Sequence, residues 1–378
     1  MSVLTSRPAL RWIVPTAATV VLLGGGVAVG QFAAEAEPSL PPRSAAQLLV
    51  DLQTSRLEGL SGTVVQRADL GLPPLVAKVA ERREDLTALV AGTHTMRVWY
   101  SGPDKARIAF KDTMGERDVI RNGKDLWIWD SKRNEASHRS LPADAGQRPD
   151  AGELPVTPAE AADRALAAID PSTEVSVGRS ATVAGRDAYE LVLKPRDTAS
   201  LVDQVRIALD AKEHVPLRFE LFADEGDAPA IEVAFTQVDF SRPDADQFTF
   251  NPPPGVKVNE EKSSGPRPEK PERSAAPGKP GEVAEPDTTV VGEGWAAVLV
   301  ARTGTGSPAE RPKDAPASQP EKSDAAGLDL LNQLPKVSGS WGSGRLFSGT
   351  IFSVLLTDDG RVLAGLVTPE RLYEVARG

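Results

Sequence analysis

The feature that most constrains the fold is an alternation of apolar and polar residues that begins near residue 93. In "THTMRVWY", Met96, Val98 and Tyr100 fall on one side of a strand, and Arg97 and Trp99 fall on the other. Successive side chains of a strand point to opposite faces, so a period of two predicts β-strands rather than helices. Short turn sequences separate the alternating runs, which favours antiparallel neighbours.

The stretch "VIRNGKDLWIWD" (119–130) predicts a β-hairpin. Its Asn-Gly dipeptide separates two apolar runs and supplies the positive φ angles of a type I′ turn. In the second run Trp127 and Trp129 share one face, and Leu126 and Ile128 share the other. Both faces are apolar, so we expect this strand to be covered on both sides or to lie deep in the sheet.

Three segments have helical patterns. Residues 43–57 place leucines on one face and predict Ser44 as the N-cap. A short helix is predicted at 84–91. A third, at 156–170, begins with a capping box and a proline in its tolerated first position.

The N-terminus predicts export. Arg7 and Arg11 precede an uncharged apolar run at 12–32, followed by an Ala-Glu-Ala cleavage option at 34–36. The run is also about 18–21 residues long, enough to span a bilayer. Either a cleaved signal or a retained anchor in the cytoplasmic membrane fits, and both place the remaining chain outside the cytoplasm.

Composition excludes several function classes. The net charge of −10 argues against a general nucleic-acid binder. The absence of cysteine removes thiol nucleophiles, disulfides and Cys-metal sites. The three histidines have no metal-ligand spacing, and no serine lies in a nucleophile elbow. We therefore expect no enzyme activity, no cofactor and no metal.

Composition also divides the chain. Residues 1–36 form the signal or anchor, 38–258 the main domain, and 259–291 and 303–327 two disordered linkers rich in Pro, Glu and Lys. Between the linkers, 292–302 predicts one strand that must pair with the main or the C-terminal sheet. Residues 328–378 predict a C-terminal hairpin, with Asp359-Gly360 at its turn, and a short helix.

The apolar strand faces remain as the candidate site. They are either ordinary core or the lining of a cavity for acyl chains, whose transfer from water is worth about 0.8 kcal/mol per CH₂. Alternation lets only about half of the candidates face such a cavity. The candidates are Met96, Val98, Tyr100, Ile108, Phe110, Leu126, Trp127, Ile128, Trp129, Val205, Ile207, Leu217, Phe219, Val233 and Phe235.

The order of these motifs resembles the LolA-like superfamily of periplasmic proteins. That group includes the lipoprotein carrier LolA, mycobacterial lipid-binding lipoproteins and the N-terminal domain of RseB. The matching features are "NG…LWIWD", the D-x-x-x-x-x-P-L hairpin at 205–221 and the F-x-F-x-P-P-x-G ending at 248–255. The Ala- and Arg-rich usage resembles an actinobacterial member.

The resemblance implies a mainly β (α+β) fold. It implies a strongly curved antiparallel half-barrel with helices against its concave face, and a cavity for lipid or lipoprotein acyl chains. The chain departs from LolA in its linkers and its C-terminal strands. Three hypotheses follow: an acyl-chain carrier, an RseB-like envelope-stress regulator of an anti-sigma factor, and a structural module whose cavity is filled by its own side chains.

Overall fold

The computed structural model describes residues 40–72, 91–111, 115–141, 171–261, 288–302 and 334–378. These residues form a thirteen-stranded sheet that is not closed, a six-stranded sheet and two α-helices. The predicted mainly β class, with an open sheet and few helices, is confirmed. The export segment at 12–32 and the helix at 156–170 lie outside the described residues, as does the helix at 84–91 apart from its last residue.

The thirteen-stranded sheet contains β1 to β13. Its strands are β1 (Leu60–Ala68), β2 (Gly92–Tyr100), β3 (Lys105–Lys111), β4 (Glu116–Asn122), β5 (Asp125–Asp130), β6 (Glu135–Ser140), β7 (Thr173–Val177), β8 (Ala181–Val183), β9 (Arg186–Pro195), β10 (Val202–Asp210), β11 (Pro216–Ala223), β12 (Pro229–Asp239) and β13 (Lys257–Glu261). The order across the sheet is β13-β6-β5-β4-β3-β2-β1-β12-β11-β10-β9-β7, and β8 pairs with β9.

One strand pair departs from the predicted antiparallel sheet. β13 runs parallel to β6, with Lys257 beside Glu135. A parallel neighbour requires a crossover connection rather than a tight turn. The connection between β6 and β13 includes β7 to β12 and ends in residues 240–256, which we call the strap and which carry the chain from β12, in the middle of the sheet, to its β6 edge.

The β4–β5 hairpin forms as predicted, but its turn is shifted by one residue. Asn122 pairs with Asp125, so Gly123 and Lys124 are the two loop residues. Gly123 has a φ of 63°, whereas neither Asn122 nor Lys124 is among the described residues with positive φ. Glycine at the first loop position is the pattern of a type II′ turn, so the predicted type I′ turn is wrong.

The six-stranded sheet contains most of the C-terminal region. Its strands are β14 (Thr288–Val291), β15 (Val298–Arg302), β16 (Lys336–Gly339), β17 (Gly342–Ser348), β18 (Ser353–Thr357) and β19 (Arg361–Gly365). Their order is β14-β15-β19-β18-β17-β16. Helix α2 (Pro369–Ala376) packs on β18 and β19 through Leu372 and Ala376, in a cluster with Leu355 and Leu363.

These strands correct the predicted boundaries. The linker assigned to 259–291 includes the end of β13 and all of β14, because both segments find backbone partners in a sheet. The strand expected within 292–302 is β15, and it pairs with the C-terminal sheet rather than the main one. The C-terminal region has four strands after 334, not a single hairpin. Residues 262–287 and 303–327 lie outside the described residues.

Helix α1 (Ala45–Thr54) covers part of the main sheet. Ser44 caps it in a capping box with Gln47, as reciprocal hydrogen bonds show. Leu48 and Leu49 are buried in a cluster with residues of β9 and β10. Burial of such a leucine contributes about 1.5–3 kcal/mol to folding, so packing rather than helix propensity holds this short helix.

The two sheets are joined through backbone and side chains. Ser200 and Val367 form an isolated antiparallel bridge, and the Leu201 N–H donates to the Leu366 carbonyl at 3.0 Å. Ile351 is buried in the same cluster as helix α1. Trp295 donates its indole N–H to the Thr173 hydroxyl at 2.8 Å. The C-terminal sheet is therefore packed against the main sheet at its β7–β10 end.

Candidate functional site: the two faces of the main sheet

Strand register determines which face each candidate occupies. Across β1 to β3, Val64 lies opposite Met96, which lies opposite Phe110. Across β2 to β5, Val98 lies opposite Ile108, Ile108 lies opposite Val119, and Val119 lies opposite Ile128. Directly opposed residues of neighbouring strands share a face. These rows therefore define one continuous side of the sheet, which we call the apolar face.

The same face continues across the other half of the sheet. Val64 opposes Phe235, Val233 opposes Phe219, and Phe219 opposes Ile207. Of the fifteen candidates, only Trp127 and Trp129 lie on the opposite side, which we call the polar face. The apolar face carries Met96, Val98, Tyr100, Ile108, Phe110, Leu126, Ile128, Val205, Ile207, Leu217, Phe219, Val233 and Phe235.

The two tryptophans of β5 cannot line a cavity on the apolar face. The ring of Trp127 stacks on His138 at 4.3 Å between centroids, and Phe250 of the strap lies 5.2 Å from Trp127 and 6.0 Å from Trp129. Phe248, also in the strap, is only 1% exposed. These tryptophans are therefore aromatic core between the sheet and the strap.

The apolar face is unevenly covered. Val205 and Ile207 belong to the cluster under helix α1, and Met96, Val98 and Val233 belong to a second buried cluster. Toward β5 the cover decreases, because Phe110, Leu126 and Ile128 are only half-buried. Helix α1 contacts β7 and β9, at the other end of the sheet. The apolar face is therefore only half-buried toward β5.

The polar face contains a cleft that was not predicted from the sequence. Its volume is about 540 Å³, and it opens beside the loop between β7 and β8. Its lining residues are Gly178, Arg179, Ser180, Ala181, Glu190, Val192, Gln204, Arg206 and Arg218. In the sequence, polar residues of this cleft alternate with Val205, Ile207, Leu217 and Phe219. Alternation alone does not show which of these polar residues lie next to one another in the folded chain.

Ion pairs order the cleft. Arg218 places Nε 3.1 Å from Glu220 Oε2 and Nη2 3.5 Å from Glu190 Oε2. Burial raises the pKa of Glu220 against the opposing effect of Arg218, and the neighbouring Glu232 raises it further. The guanidinium of Arg206 lies 4.6 Å from the ring centroid of Phe222. Its Nε is buried and has no hydrogen-bond partner within the described residues.

The three histidines lie apart from one another. His94 contacts the Ala91 carbonyl at 2.8 Å, and His214 is 3.9 Å from Asp51. His138 has Glu260 on Nδ1 and Asp125 on Nε2, each at 2.9 Å. In the part of the chain that the structure describes, no group of three His, Cys, Asp or Glu side chains is arranged to hold a metal ion. Nor does any helix there have the length and apolarity needed to cross a membrane.

Comparisons with known proteins gave only structural likenesses. No family model matches the sequence, and no curated protein matches it. The solved complex of MucA and MucB from Pseudomonas aeruginosa aligns with a TM-score of 0.42 and 17% identity, covering 88% of this chain and 96% of that one. A LolA superfamily protein from Nitrosomonas europaea aligns with a TM-score of 0.22 and 12% identity, covering 55% of this chain and 99% of that one.

The second of these structures is a member of the LolA superfamily that the sequence resemblance names, and MucB is the counterpart of RseB. Because the identities are only 17% and 12%, the ligand of this chain has to be inferred from its own residues.

Proposed function

We propose that this chain is a non-enzymatic, extracytoplasmic protein that binds acyl chains of a lipid or lipoprotein on the apolar face of its main sheet. The observation that carries the proposal is the continuity of that face. Thirteen apolar side chains share it, and it extends past the region covered by helix α1.

The half-buried end of the face is the proposed ligand position. Phe110 and Ile128 present apolar surface there without closing it. Moving an acyl chain from water onto this surface gains about 0.8 kcal/mol per CH₂, so a chain of a dozen carbons needs no positioned polar group. The extracytoplasmic location rests on the N-terminal sequence, where basic residues precede the apolar run at 12–32.

Site-directed photocrosslinking tests this proposal and its geometry. The full chain carries p-benzoylphenylalanine in place of Phe110 on the apolar face, and the matched control carries it in place of Trp129 on the polar face. After irradiation in the native host, mass spectrometry should find lipid adducts on the first variant and none on the second. Equal adducts on both variants, or purified protein free of lipid, would contradict acyl binding on this face.

A second candidate is an RseB-like regulator that contacts an anti-sigma factor in the cytoplasmic membrane. The observation that favours it is the second sheet, which is joined to the first by backbone hydrogen bonds and places Ile351 in the cluster under helix α1. A carrier needs no such unit, whereas a regulator needs a surface for its partner.

Calorimetry distinguishes the two candidates. The full chain is titrated with the extracytoplasmic domain of each anti-sigma factor of the host, with and without a short-chain lipid. Saturable binding that the lipid weakens supports the regulator. Absence of binding to every domain removes this candidate and leaves the lipid carrier.

A further inference from the structure

We propose that the edge strand β14 is a self-association surface, at which two copies of this chain pair antiparallel and join their C-terminal sheets. β14 ends the six-stranded sheet, and no strand of the described chain lies on its outer side. It pairs with β15 from Thr288 to Val291 without a bulge. An edge of this kind presents backbone N–H and C=O groups with which a further strand can pair. The surface belongs to the second sheet, so it is independent of acyl binding on the main sheet.

β14 lacks the features that protect the other edges. Among the described strands, β7, β13 and β16 also end a sheet, and they carry the charged residues Glu174, Lys257 and Lys336 respectively. The short strand β8 pairs only with β9 in this part of the chain, and its Val183 is buried. β14 reads Thr-Thr-Val-Val, and all of its side chains are exposed. Natural edge strands avoid pairing through charges, prolines or bulges, so β14 is the unprotected edge of the described sheets.

Exposed apolar side chains concentrate at the same corner of the molecule. Six large apolar side chains of the described residues are exposed, and three of them, Val290, Val291 and Leu299, lie on β14 and β15. Isolated exposed apolar residues are ordinary on a protein surface, whereas a contiguous group marks an interaction surface. Val290 and Leu299 lie directly opposite each other and are 43% and 45% exposed. They therefore form one apolar patch at the edge.

The patch continues across the sheet as one apolar row. Each residue of the row lies opposite the next on the neighbouring strand, in the order Val290, Leu299, Ala364, Val354 and Phe347. Leu355 and Leu363 alternate with residues of the row and belong to the cluster that contains Leu372 of helix α2. The row is therefore on the side of the sheet that α2 does not cover.

A second copy of the chain is the occupant that fits this edge. Antiparallel pairing about a two-fold axis keeps each side of one sheet continuous with the same side of the other. With the axis at Val290, this residue opposes its own counterpart, and Thr289 opposes the partner's Val291. These residues are all β-branched, which favours strands and cross-strand pairs. No like charges meet, and the two apolar rows join end to end across both six-stranded sheets.

Cysteine crosslinking tests the pairing, because the unchanged chain has no cysteine and each variant therefore carries a single thiol. In its host, the full chain carries cysteine in turn at each of the positions 288–291 and is oxidised with copper phenanthroline. Only the residue at a two-fold axis opposes its own copy, so the yield of disulfide-linked dimer should be highest for Val290→Cys. The matched control is Val177→Cys, at a valine of the β7 edge that is 38% exposed. Its yield should be lower by about fivefold or more, because Glu174 protects that edge.

The pattern of yields decides the outcome. A single maximum at another position of β14 supports the pairing and moves the axis to that residue. Equal yields for Val177→Cys and Val290→Cys, an even yield over all four positions, or no dimer at any of them would overturn the proposal.

Sedimentation equilibrium of the full chain in a mild detergent measures the association independently. Val290→Lys places two like charges opposite each other at the axis, so it should raise the dimer dissociation constant about tenfold or more. Val177→Lys should leave that constant unchanged. Both variants keep residues 12–32, so association through this apolar run cannot produce the difference. Because Val290 is exposed, the urea midpoint of Val290→Lys should match that of the unchanged chain. An unchanged dissociation constant in Val290→Lys would disprove the pairing.

Discussion

The two faces of the thirteen-stranded sheet are made by the same strands but are stabilised differently. On the apolar face, Met96, Val98 and Ile108 pack against other apolar side chains. On the polar face, Arg107 pairs with Asp118, and the strap covers the aromatic residues of β5. An apolar contact tolerates replacement by another apolar group, such as an acyl chain. A polar pair requires its own partner, so the polar face is the more selective of the two.

The difference between the two faces is tested most directly by placing the same negative charge on each face at neighbouring positions. Val98 is 1% exposed on the apolar face, and Arg97 is exposed on the polar face. Val98→Asp should lower the free energy of unfolding by about 4 kcal/mol or more, because the carboxylate is buried without a partner. Arg97→Asp should change it by about 1 kcal/mol or less. Urea denaturation measures both, and similar losses would show that the faces do not differ in this way.

A smaller loss is expected where the polar face already contains a buried charge. Asp210 is 1% exposed and accepts hydrogen bonds from the Arg186 guanidinium and from the Lys212 and Glu213 amides at 2.9 and 2.8 Å. Asp210→Ala should cost about 3 kcal/mol, because Arg186 is left without its partner. Replacing both residues by apolar ones should recover part of that loss. No recovery in the double variant would show that the pair itself is strongly stabilising.

Asp210 also gives a pH dependence with a definite sign. Burial alone would raise its pKa, but the hydrogen bonds from Arg186 and from the two amides outweigh burial and lower it. A folded pKa below the unfolded value means that the stabilisation is present above about pH 4 and is lost as pH falls through the folded pKa. Acid titration of the Asp210→Ala protein should therefore be shallower than that of the unchanged chain.

The contribution of the strap to stability can be tested at one aromatic residue. Phe250 is half-buried against Trp127 and Trp129. Phe250→Ala should lower the free energy of unfolding by about 2 kcal/mol, less than a fully buried phenylalanine would. Phe250→Leu should restore about half of the loss. Lipid crosslinking at position 110 should be unchanged in both variants, and its loss would contradict the independence of the two faces.

The smallest expected effect is a pH dependence at the edge of the polar face. Burial alone would lower the pKa of His138, but hydrogen bonds with Asp125 and Glu260 raise it above 6.5. Glu260 lies on β13, so a protonated His138 links β13 to β6 and β5. The contribution is fully present below about pH 6.5 and is lost as pH rises through the folded pKa. Its size should be below about 1 kcal/mol, because Asp125 and Glu260 are 57% and 70% exposed.

The measurement for His138 is a double difference. The change in unfolding free energy between pH 6 and pH 8 is compared in the unchanged chain and in His138→Asn, which cancels the contributions of His94 and His214. The unchanged chain should lose more stability on raising the pH. An identical change in both proteins would show that the contacts of His138 do not depend on its charge.

Local patterns predicted much of the apolar face, and non-local contacts account for what they missed. Alternation placed Met96, Val98 and Tyr100 together because period two depends only on neighbouring residues. It could not assign Trp127 and Trp129, since both faces of β5 are apolar and the cover of one face comes from Phe250, far along the chain. The strand β13 was missed for a similar reason, because a charged segment such as Lys257–Glu261 becomes a strand only through its pairing with β6.

The cleft shows a different limit. Arg206 and Arg218 were visible as polar positions in alternating strands, but their convergence with Arg179 depends on strand order. β9, β10 and β11 lie side by side, and the β7–β8 loop closes the edge. The buried Nε of Arg206 is a property of the packed structure and has no counterpart in the sequence pattern.

The order of strands has a consequence for how the chain folds. β1 to β6 are successive neighbours, and so are β9 to β12, so each half can form from local hairpins. Among the described residues, the backbones of β1 to β6 and β9 to β12 pair with each other only where β1 meets β12, for example at Val64 and Phe235, and a contact so distant in sequence is slow to form. A bulge between Thr63 and Val64 interrupts the register of that seam. The apolar face becomes continuous only when the seam closes in this register, because a slip of one residue would turn half of it toward the arginine cleft.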